Sequence, residues 1–340
     1  MSAPGSYVYC TVAPELTAVA RAAIGGARPG WRPAFSRPGL LTFKVDGGVP
    51  LTVERPHPLA RTWGRSIGPA ADAEAARLAL GKARVHVGPR APGEDVAADV
   101  AALDALRDAL GGQSGPARIP SGARVVDVIA PPGGSDEPLF LGEHAHSAAH
   151  SAWPLGLPVA PVPADAPSRA ARKMAEGLAV SDAPLRAGDG VLEFGCSPGG
   201  ASFVLLGRGA RVLGVDPEPV APVVAADARF RHLPLAIGAF PRAELPPDTA
   251  WLVVDISVAA PVAARSLQRF FPPLRKTLCG LFFTLKINEW GLVDRLPTLL
   301  DQLRGHGLLD LRVHHLPANR QELFLYGETA LGQARRRGSA

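Results

Sequence analysis

The stretch Val191-Leu-Glu-Phe-Gly-Cys-Ser-Pro-Gly-Gly200 is an apolar run that leads directly into a glycine turn and then into a helix-like segment. Glycines let a backbone approach a ligand closely, and the first turn of a helix offers unpaired N–H groups to a polar or anionic one. The G-x-G-x-x-G spacing of dinucleotide-binding proteins is absent, because Gly195 is followed by Cys196, Ser197 and Pro198. The stretch predicts a strand, a ligand-binding turn and a helix.

The next strand-like segment, Arg211-Val-Leu-Gly-Val-Asp216, ends in a carboxylate about 20 residues beyond the turn, where it can accept hydrogen bonds from both ribose hydroxyls of a nucleoside cofactor. A helix cap at a strand end explains Asp216 alone nearly as well. The turn and the carboxylate together favour a nucleoside ligand, with Cys196 packed beside it as an unreactive thiol. The candidate cofactor-binding residues are Glu193, Gly195, Cys196, Ser197, Pro198, Gly199, Gly200, Asp216 and Asp255.

Strand-like and helix-like segments alternate around this stretch. Such alternation predicts an α/β domain over residues 168–330, with a doubly wound parallel sheet and an antiparallel pair at its end. Strands are predicted at 191–195, 211–216, 250–257, 280–287, 310–316 and 322–327, and helices at 168–180, from about 200, at 263–271 and at 292–303.

The first 152 residues show a different pattern, that of a smaller α+β domain. Strands are predicted at 7–12, 40–45, 85–87, 125–130 and 139–144, and helices at 14–24, 71–82 and 96–110. Residues 153–167 carry prolines too densely for a helix or a central strand, so they predict an extended connector at a domain boundary. The basic end, residues 331–340 with Arg335–Arg337, is predicted to be a disordered tail.

Composition narrows the class of protein but does not identify it. The net charge of +5 permits a polyanionic partner, although a well-solvated surface explains it equally well. No apolar run has membrane length, and the first residues do not resemble a signal peptide, so we expect a soluble cytoplasmic protein. The three separated cysteines, Cys10, Cys196 and Cys279, argue against a disulfide framework and a zinc site, and we expect no metal.

Four charged residues are predicted to share one cleft: Lys173, Asp255, Lys286 and Glu322. Asp255 and Lys286 lie at the carboxyl ends of predicted strands, where open α/β sheets bind ligands. A ribose hydroxyl is a poor nucleophile until its proton is withdrawn. A desolvated lysine near another ammonium group has a lowered pKa and can be that base, whereas arginine cannot. Two of only five lysines fall here, although an isolated lysine is more often an ordinary surface charge.

The order of these four residues around the turn Gly195-Cys-Ser-Pro-Gly-Gly200 resembles the Lys-Asp-Lys-Glu tetrad of FtsJ-like ribose 2′-O-methyltransferases. The likeness extends over Ser168 to Gly327 and includes S-R-A-x-x-K-x-x-E-G-L at Ser168–Leu178 and N-R-Q-E-L before the last strand. It implies a Rossmann-like class I methyltransferase sheet and S-adenosylmethionine as the methyl donor. It further implies Lys286 as the general base, positioned with the hydroxyl by the other three residues.

Within that family the chain most resembles the RlmM-like bacterial branch, which methylates a cytidine of large-subunit (23S) ribosomal RNA. That branch carries an N-terminal region with a THUMP RNA-binding domain, and the α+β pattern of residues 1–152 is similar to it. The segments E-P-L-F-L-G-E-H and S-A-W-P-L-G are also similar to those before the branch's catalytic domain. The resemblance implies ribosomal RNA as the partner; it leaves the oligomeric state open.

One departure from the family pattern concerns the adenine side of the cofactor. The family usually places an acidic residue near the end of the third strand, but Leu233–Phe240 contains none. Adenine would then be held by backbone groups and apolar packing, or by Asp227 if the alignment is displaced. The missing acid leaves open a non-catalytic RNA-binding homologue. A methyltransferase of a small molecule or protein, with the N-terminal half as a substrate lid, is the other alternative.

Arginines scattered through the first domain offer a second route to RNA, because phosphate contacts dominate the affinity for nucleic acid. Spacing alone does not reveal whether they share one face. They are Arg21, Arg28, Arg32, Arg37, Arg55, Arg61 and Arg65.

Overall fold

The computed structural model describes residues 6–91, 97–287 and 290–338, with residues 97–99 described by their backbone alone. The chain divides into two compact units, Met1–Pro158 and Val159–Ala340. The division lies inside the proline-rich stretch 153–167. The start of that stretch is not the extended connector predicted, because Pro154–Gly156 forms a 3-10 turn whose Leu155 is buried against the strand at 84–89 of the first unit.

The elements of the first unit are β1 Tyr7–Thr11, α1 Thr17–Ala27, β2 Trp31–Arg37, β3 Leu40–Val45, β4 Trp63–Ala70, α2 Ala73–Leu80, β5 Arg84–Pro89, α3 Ala97–Leu110, β6 Arg124–Ala130 and β7 Leu139–Ala145. Over the described residues these strands form one seven-stranded sheet, in the order β2-β3-β1-β4-β7-β6-β5. The predicted α+β class is confirmed. All strand pairs are antiparallel except β5 with β6.

Two strands of this sheet, β2 and β4, were not predicted from the sequence, for different reasons. β2 is an edge strand that is mostly exposed, so it lacks the apolar alternation of a half-buried strand, and it contains Pro33. β4 contains Gly64, Gly68 and Pro69, and its pairing with β7 shifts between Ser66 and Gly68. Val96, the predicted start of the third helix, lies outside the described residues, and Val100, predicted on the apolar face of that helix, is 51% exposed.

The second unit alternates strands and helices as the sequence predicts and adds helices at 222–225 and 330–337 that were not predicted. Its elements are α4 Ala170–Ser181, β8 Gly190–Phe194, α5 Gly200–Gly207, β9 Arg211–Val215, α6 Pro222–Ala225, β10 Phe230–Leu233, β11 Thr249–Val254, α7 Ala260–Leu267, α8 Phe271–Leu274, β12 Gly280–Lys286, α9 Gly291–Asp294, α10 Leu296–Gly305, β13 Asp310–His314, β14 Glu322–Glu328 and α11 Ala330–Arg337. The regions predicted as single helices at 263–271 and 292–303 are each divided in two.

The strand order of the second sheet is β10-β9-β8-β11-β12-β14-β13. The first five of these strands run parallel, and β14 inserts antiparallel between β12 and β13. This is the Rossmann-like fold expected, including its antiparallel end. Since the chain winds outward in both directions from β8, a crevice opens at the carboxyl ends of β8 and β11, where such sheets bind ligands.

Burial explains why the central strands form. β8, β11 and all but the last residue of β12 are buried, as expected for parallel strands covered on both faces. The ring of Phe282 packs against those of Trp251, Phe324 and Tyr326 within this core.

Residues 330–337 of the basic end form a helix, so the predicted disordered tail is wrong for them; residues 339 and 340 lie outside the described residues. α11 begins with Thr329 capping the N–H of Gly332. Arg335 lies 2.8 Å from Asp189, and Arg336 lies 2.6 Å from Glu328, which is 1% exposed. A buried carboxylate needs a cationic partner, and this requirement holds the helix against the unit.

Two further expectations concern membranes and cysteines. No helix in the described part of the chain has the length and apolar character needed to span a membrane. Cys10, Cys196 and Cys279 are buried and free, as expected for reduced thiols.

Candidate functional site

Four charged side chains meet at the carboxyl edge of the second sheet: Lys173, Asp255, Lys286 and Glu322. Lys286 Nζ lies 2.8 Å from one oxygen of Asp255 and 2.7 Å from one oxygen of Glu322. Lys173 Nζ lies 3.1 Å from the second oxygen of Glu322 and donates a hydrogen bond to the second oxygen of Asp255. Each carboxylate therefore bridges both ammonium groups, and the structure brings all four predicted residues together. We call them the tetrad.

Topology explains this meeting. Asp255 follows β11 and Lys286 ends β12, so two parallel strands deliver both residues to the same edge. β14 runs the opposite way and begins where β12 ends, which pairs Lys286 directly with Glu322 across the antiparallel ladder. Lys173 is supplied by α4.

Two residues of the S-R-A-x-x-K-x-x-E-G-L segment explain how α4 comes close enough. Glu176 is 1% exposed and accepts a 2.8 Å hydrogen bond from the N–H of Ala318, in the loop that leads into β14. A Cβ on Gly177 would lie 2.4 Å from the ring of Phe324, so only glycine allows this approach to β14. Both residues stand in the quoted sequence segment, but the sequence alone gave neither a role. They position Lys173 beside Glu322.

The tetrad is charge-balanced, with two ammonium groups and two carboxylates. Lys286 has the most exposed side chain at 24%, against 9% for Lys173, 13% for Asp255 and 6% for Glu322. Lys286 is therefore the member that a substrate reaches most easily.

The expected lowering of the pKa of Lys286 is wrong for the ligand-free protein. Partial burial acts to lower this pKa, but the carboxylates of Asp255 and Glu322 outweigh it and raise the pKa above its ordinary value. Burial acts to raise the pKa of Glu322, and the two lysines outweigh it and hold the pKa below its usual range. The resting tetrad therefore carries a protonated Lys286.

The glycine turn lies beside the tetrad. Gly195 has φ +84°, and a Cβ there would lie 2.2 Å from the carbonyl oxygen of Asp255. A Cβ on Gly200 would lie 2.7 Å from the backbone nitrogen of Ala171, at the start of α4. These close approaches place the turn next to the strand end that supplies Asp255 and next to the helix that supplies Lys173.

The other candidate cofactor-binding residues take two kinds of position. Asp216 faces the turn and accepts a 3.2 Å hydrogen bond from the N–H of Ser197. Glu193 lies on β8 just before the turn, 1% exposed, where burial raises its pKa to about 8 and the hydroxyl of Ser202 on α5 donates to it. Cys196 is 2% exposed, and burial raises the pKa of its thiol, so it stays protonated as expected of an unreactive cysteine.

The alternative of Asp227 as the adenine-side acid is wrong. Asp227 precedes β10 and therefore lies at the amino end of that strand, where it pairs with Arg229 at 2.7 Å. The segment 233–240 lies at the carboxyl end, where the family pattern places the adenine, and contains no carboxylate. Phe240 from this segment is buried against Phe194 and Phe270, which supplies apolar packing there.

The arginines of the first unit do not form one free basic face. Arg55 donates to the carbonyls of Pro58 and Ala60, and Arg61 is 7% exposed. Arg65 pairs with Glu143, whose other oxygen is bound by Arg124. Arg28, Arg32 and Arg37 also pair with carboxylates, those of Glu54, Asp46 and Glu137. Six of the seven arginines considered as phosphate contacts are thus buried or paired within the protein.

Comparison with known proteins identifies one group of relatives. The chain is 31% identical over 185 residues to the ribosomal RNA large subunit methyltransferase M of Thauera aminoaromatica, covering 52% of this chain and 50% of that protein. It is 33% identical over 181 residues to the protein of the same name from Alkalilimnicola ehrlichii, covering 50% and 48%. The chain spans about half the length of the relatives it matches. No family model matches it.

Among solved structures, TrmN from Thermus thermophilus has 16% sequence identity and a TM-score of 0.36, covering 95% of this chain and 99% of that one. A tRNA (m1A22) methyltransferase of Streptococcus pneumoniae, in complex with S-adenosyl-L-methionine, has 15% identity and a TM-score of 0.33, covering 48% and 72%. Likenesses this weak identify no activity.

Proposed function

We propose that the second unit is an S-adenosylmethionine-dependent methyltransferase that acts on a ribose 2′-hydroxyl of RNA, with a cytidine of large-subunit ribosomal RNA as its target. The observation that carries this proposal is the tetrad at the carboxyl edge of a Rossmann-like sheet. The relatives named as ribosomal RNA methyltransferases, at about 30% identity over half the chain, support the RNA substrate.

The residues around the turn suit the donor. Asp216 presents a carboxylate for ribose hydroxyls. The absence of side chains at Gly195, Gly199 and Gly200 lets the turn pack closely against Asp255, Val224 and the start of α4, and so holds it beside the tetrad. When bound, S-adenosylmethionine supplies an electrophilic methyl group on a positively charged sulfur. Glu193 supports the turn through its hydrogen bond with Ser202, which joins β8 before the turn to α5 after it. Apolar packing around 233–240 accommodates a base.

The tetrad then activates the hydroxyl. Lys286, the most exposed member, takes the proton of the attacking ribose oxygen onto Nζ, and it can do so only from its neutral form. Asp255 and Glu322 hold the ammonium group that results. Lys173 contacts the second oxygen of each carboxylate and balances its charge. This leaves Lys286 oriented toward the substrate.

The deciding experiment uses Lys286→Ala. Transfer of labelled methyl groups from S-adenosylmethionine to large-subunit RNA from cells lacking this gene is expected to fall about 10²- to 10⁴-fold, which is what a general base contributes. Cofactor affinity by calorimetry is expected to stay within threefold. Ribose-methylation mapping of the product locates the 2′-O-methyl group.

The matched control is Lys276→Ala. Lys276 is exposed and precedes β12, so it lies at the opposite edge of the sheet from Lys286, at the other end of that strand. Its loss should leave transfer unchanged. Transfer by Lys286→Ala at more than a tenth of the normal rate contradicts the proposal, as does label that enters a base, a protein or a small molecule.

A further inference from the structure

A second polar cluster lies in the first unit, far in sequence from the tetrad. His144, His146 and His150 each offer a ring nitrogen within 4.8 Å of the others, and all three residues are at least nine-tenths buried. His144 lies at the end of β7, His146 follows two positions on, and His150 lies in the turn after it. We call these three residues the histidine triad.

Asp127 on β6 determines which nitrogen of His144 carries the proton. Its carboxylate is 0% exposed and lies 2.7 Å from Nδ1 of His144 and 3.2 Å from Nδ1 of His86. An ionised carboxylate only accepts hydrogen bonds, so Nδ1 of His144 donates to it. In the neutral ring, the form that binds a metal, Nε2 then holds the lone pair. Nε2 of His144 is buried and has no hydrogen-bond partner among the described residues. A carboxylate behind a histidine in this way orients and strengthens a metal ligand.

The other two rings also present lone pairs. Nδ1 of His146 is buried and unpartnered within the described part of the chain. Nε2 of His150 lies 3.3 Å from the carbonyl oxygen of Trp63, which can only accept, so Nδ1 of His150 holds its lone pair beside the hydroxyl of Ser147. The unpartnered buried nitrogens are those of His144 and His146; such groups are costly, and a bound cation would satisfy them. At His150 the cation would take the place of the Ser147 hydroxyl at Nδ1.

We propose that the histidine triad binds one divalent transition-metal ion, Zn²⁺, through His144, His146 and His150, with a fourth position open to water. Imidazole nitrogen is a preferred zinc ligand, and three protein ligands plus water are a known zinc arrangement. The ion would tie the end of β7 to the turn that follows it and so stabilise the first unit.

Binding requires a defined rearrangement. Nitrogens around a tetrahedral zinc ion lie about 3.3 Å apart, given Zn–N bonds of about 2.0 Å, so the triad must contract. His150 is the ring that moves, because it lies in a turn and stacks between Trp63 and His144, with interplanar angles of 21° and 9°. Two parallel rings cannot point at one ion, so zinc binding tilts His150 out of this stack.

The test uses the full chain without a polyhistidine tag, freed of metal by chelator and titrated with ZnCl₂. Calorimetry is expected to show one tight equivalent per chain, and saturation should raise the midpoint of thermal unfolding by several degrees. His146→Gln should weaken zinc binding at least tenfold and abolish the thermal shift. Substitution with Co²⁺ should give the visible absorption of a tetrahedral nitrogen site in the wild type and lose it in this variant.

His146 is the ligand to replace because its unpartnered Nδ1 contributes no hydrogen bond to the metal-free fold of the described chain. The matched control is His86→Gln, a buried histidine on the same carboxylate but outside the triad, which should retain a full zinc equivalent. His150→Gln repeats the test from the turn side if His146→Gln does not unfold cooperatively. Zinc binding by the wild type no tighter than by the triad variants overturns the proposal.

Discussion

The tetrad of the second unit and the histidine triad with Asp127 in the first unit are both buried polar clusters on seven-stranded sheets, but they are built differently. In the tetrad, two lysines face two carboxylates, and each carboxylate bridges both lysines. The single carboxylate of Asp127 binds Tyr9, His86 and His144. The Nε2 atoms of the two histidines have no hydrogen-bond partner in the described chain.

This contrast indicates what each cluster is suited to do. In each cluster, burial acts to raise the pKa of one carboxylate: Glu322 in the tetrad and Asp127 in the first unit. In each, the groups that donate to the carboxylate outweigh burial and lower its pKa. The tetrad lies at a strand edge with Lys286 partly exposed, so its balanced charges can exchange a proton with a substrate. The Asp127 cluster lies within a sheet, where its lone pairs suit an ion and its hydrogen bonds serve stability.

Lys286→Arg should have the largest effect on the tetrad. It should reduce activity strongly and leave stability almost unchanged. This variant keeps a cation beside Asp255 and Glu322, but arginine cannot release its proton near neutral pH. We expect methyl transfer to fall about 10³-fold while the free energy of unfolding changes by less than about 1 kcal/mol. Single-turnover kinetics and denaturant unfolding measure the two quantities. An arginine variant with a tenth of normal activity would show that Lys286 acts only as a charge.

At Asp127 the opposite is expected: a substitution should act on stability. Asp127→Asn leaves one carboxamide oxygen to accept what two carboxylate oxygens accepted from Tyr9, His86 and His144. At least one buried donor loses its partner, so the free energy of unfolding of metal-free protein should fall by about 3 kcal/mol. Denaturant unfolding measures this, with the exposed Asp46→Asn as the control. A loss no larger than that of the control would mean that the network contributes little to stability.

A pair of glycines tests whether the tetrad depends on its turn. Gly188 and Gly195 share φ +84°, but only at Gly195 would a Cβ clash, with the carbonyl oxygen of Asp255. Gly188→Ala should cost about 1 kcal/mol of unfolding free energy from backbone strain. Gly195→Ala should cost about 2 kcal/mol more and weaken cofactor binding. Equal losses in thermal and calorimetric measurements would indicate that the turn does not pack tightly against Asp255.

The pH dependence of the tetrad is the most gradual of these effects. The pKa of Lys286 is raised, so the neutral base is the minor form at neutral pH, and its fraction grows tenfold per pH unit below that pKa. kcat/KM for RNA methylation should therefore rise about tenfold per unit from pH 7 to pH 9, without a plateau. Initial rates at subsaturating RNA measure the slope. A flat profile over this range would assign proton removal to another group.

Much of the second unit could be predicted from sequence because its signals are local and chemical. Buried parallel strands are continuous apolar runs, as in 250–254 and 280–285, and the charged residues that follow them must reach one edge. The first unit has weaker signals. β2 and β4 carry proline or glycine and little apolar alternation, so only their pairing with β3, β1 and β7 identifies them as strands.

The histidine triad could have been noticed from the spacing H-x-H-x₃-H at 144–150, but spacing alone does not show that the rings converge. Asp127 and His86 lie on other strands, and only sheet pairing places them behind His144. The ordered tail was likewise invisible, because the partners of Arg335 and Arg336 include Asp189, distant in sequence.

Local sequence was sufficient for most of the strands and helices of the second unit, the turn at 195–200 and the four residues of the tetrad, because periodicity and residue chemistry are local properties. The protonation of Lys286, the position of Asp227 at the wrong strand end and the convergence of three histidines emerged only in the folded chain. These depend on distances between residues far apart in the chain, and electrostatic interactions follow distance and burial, neither of which a linear sequence records.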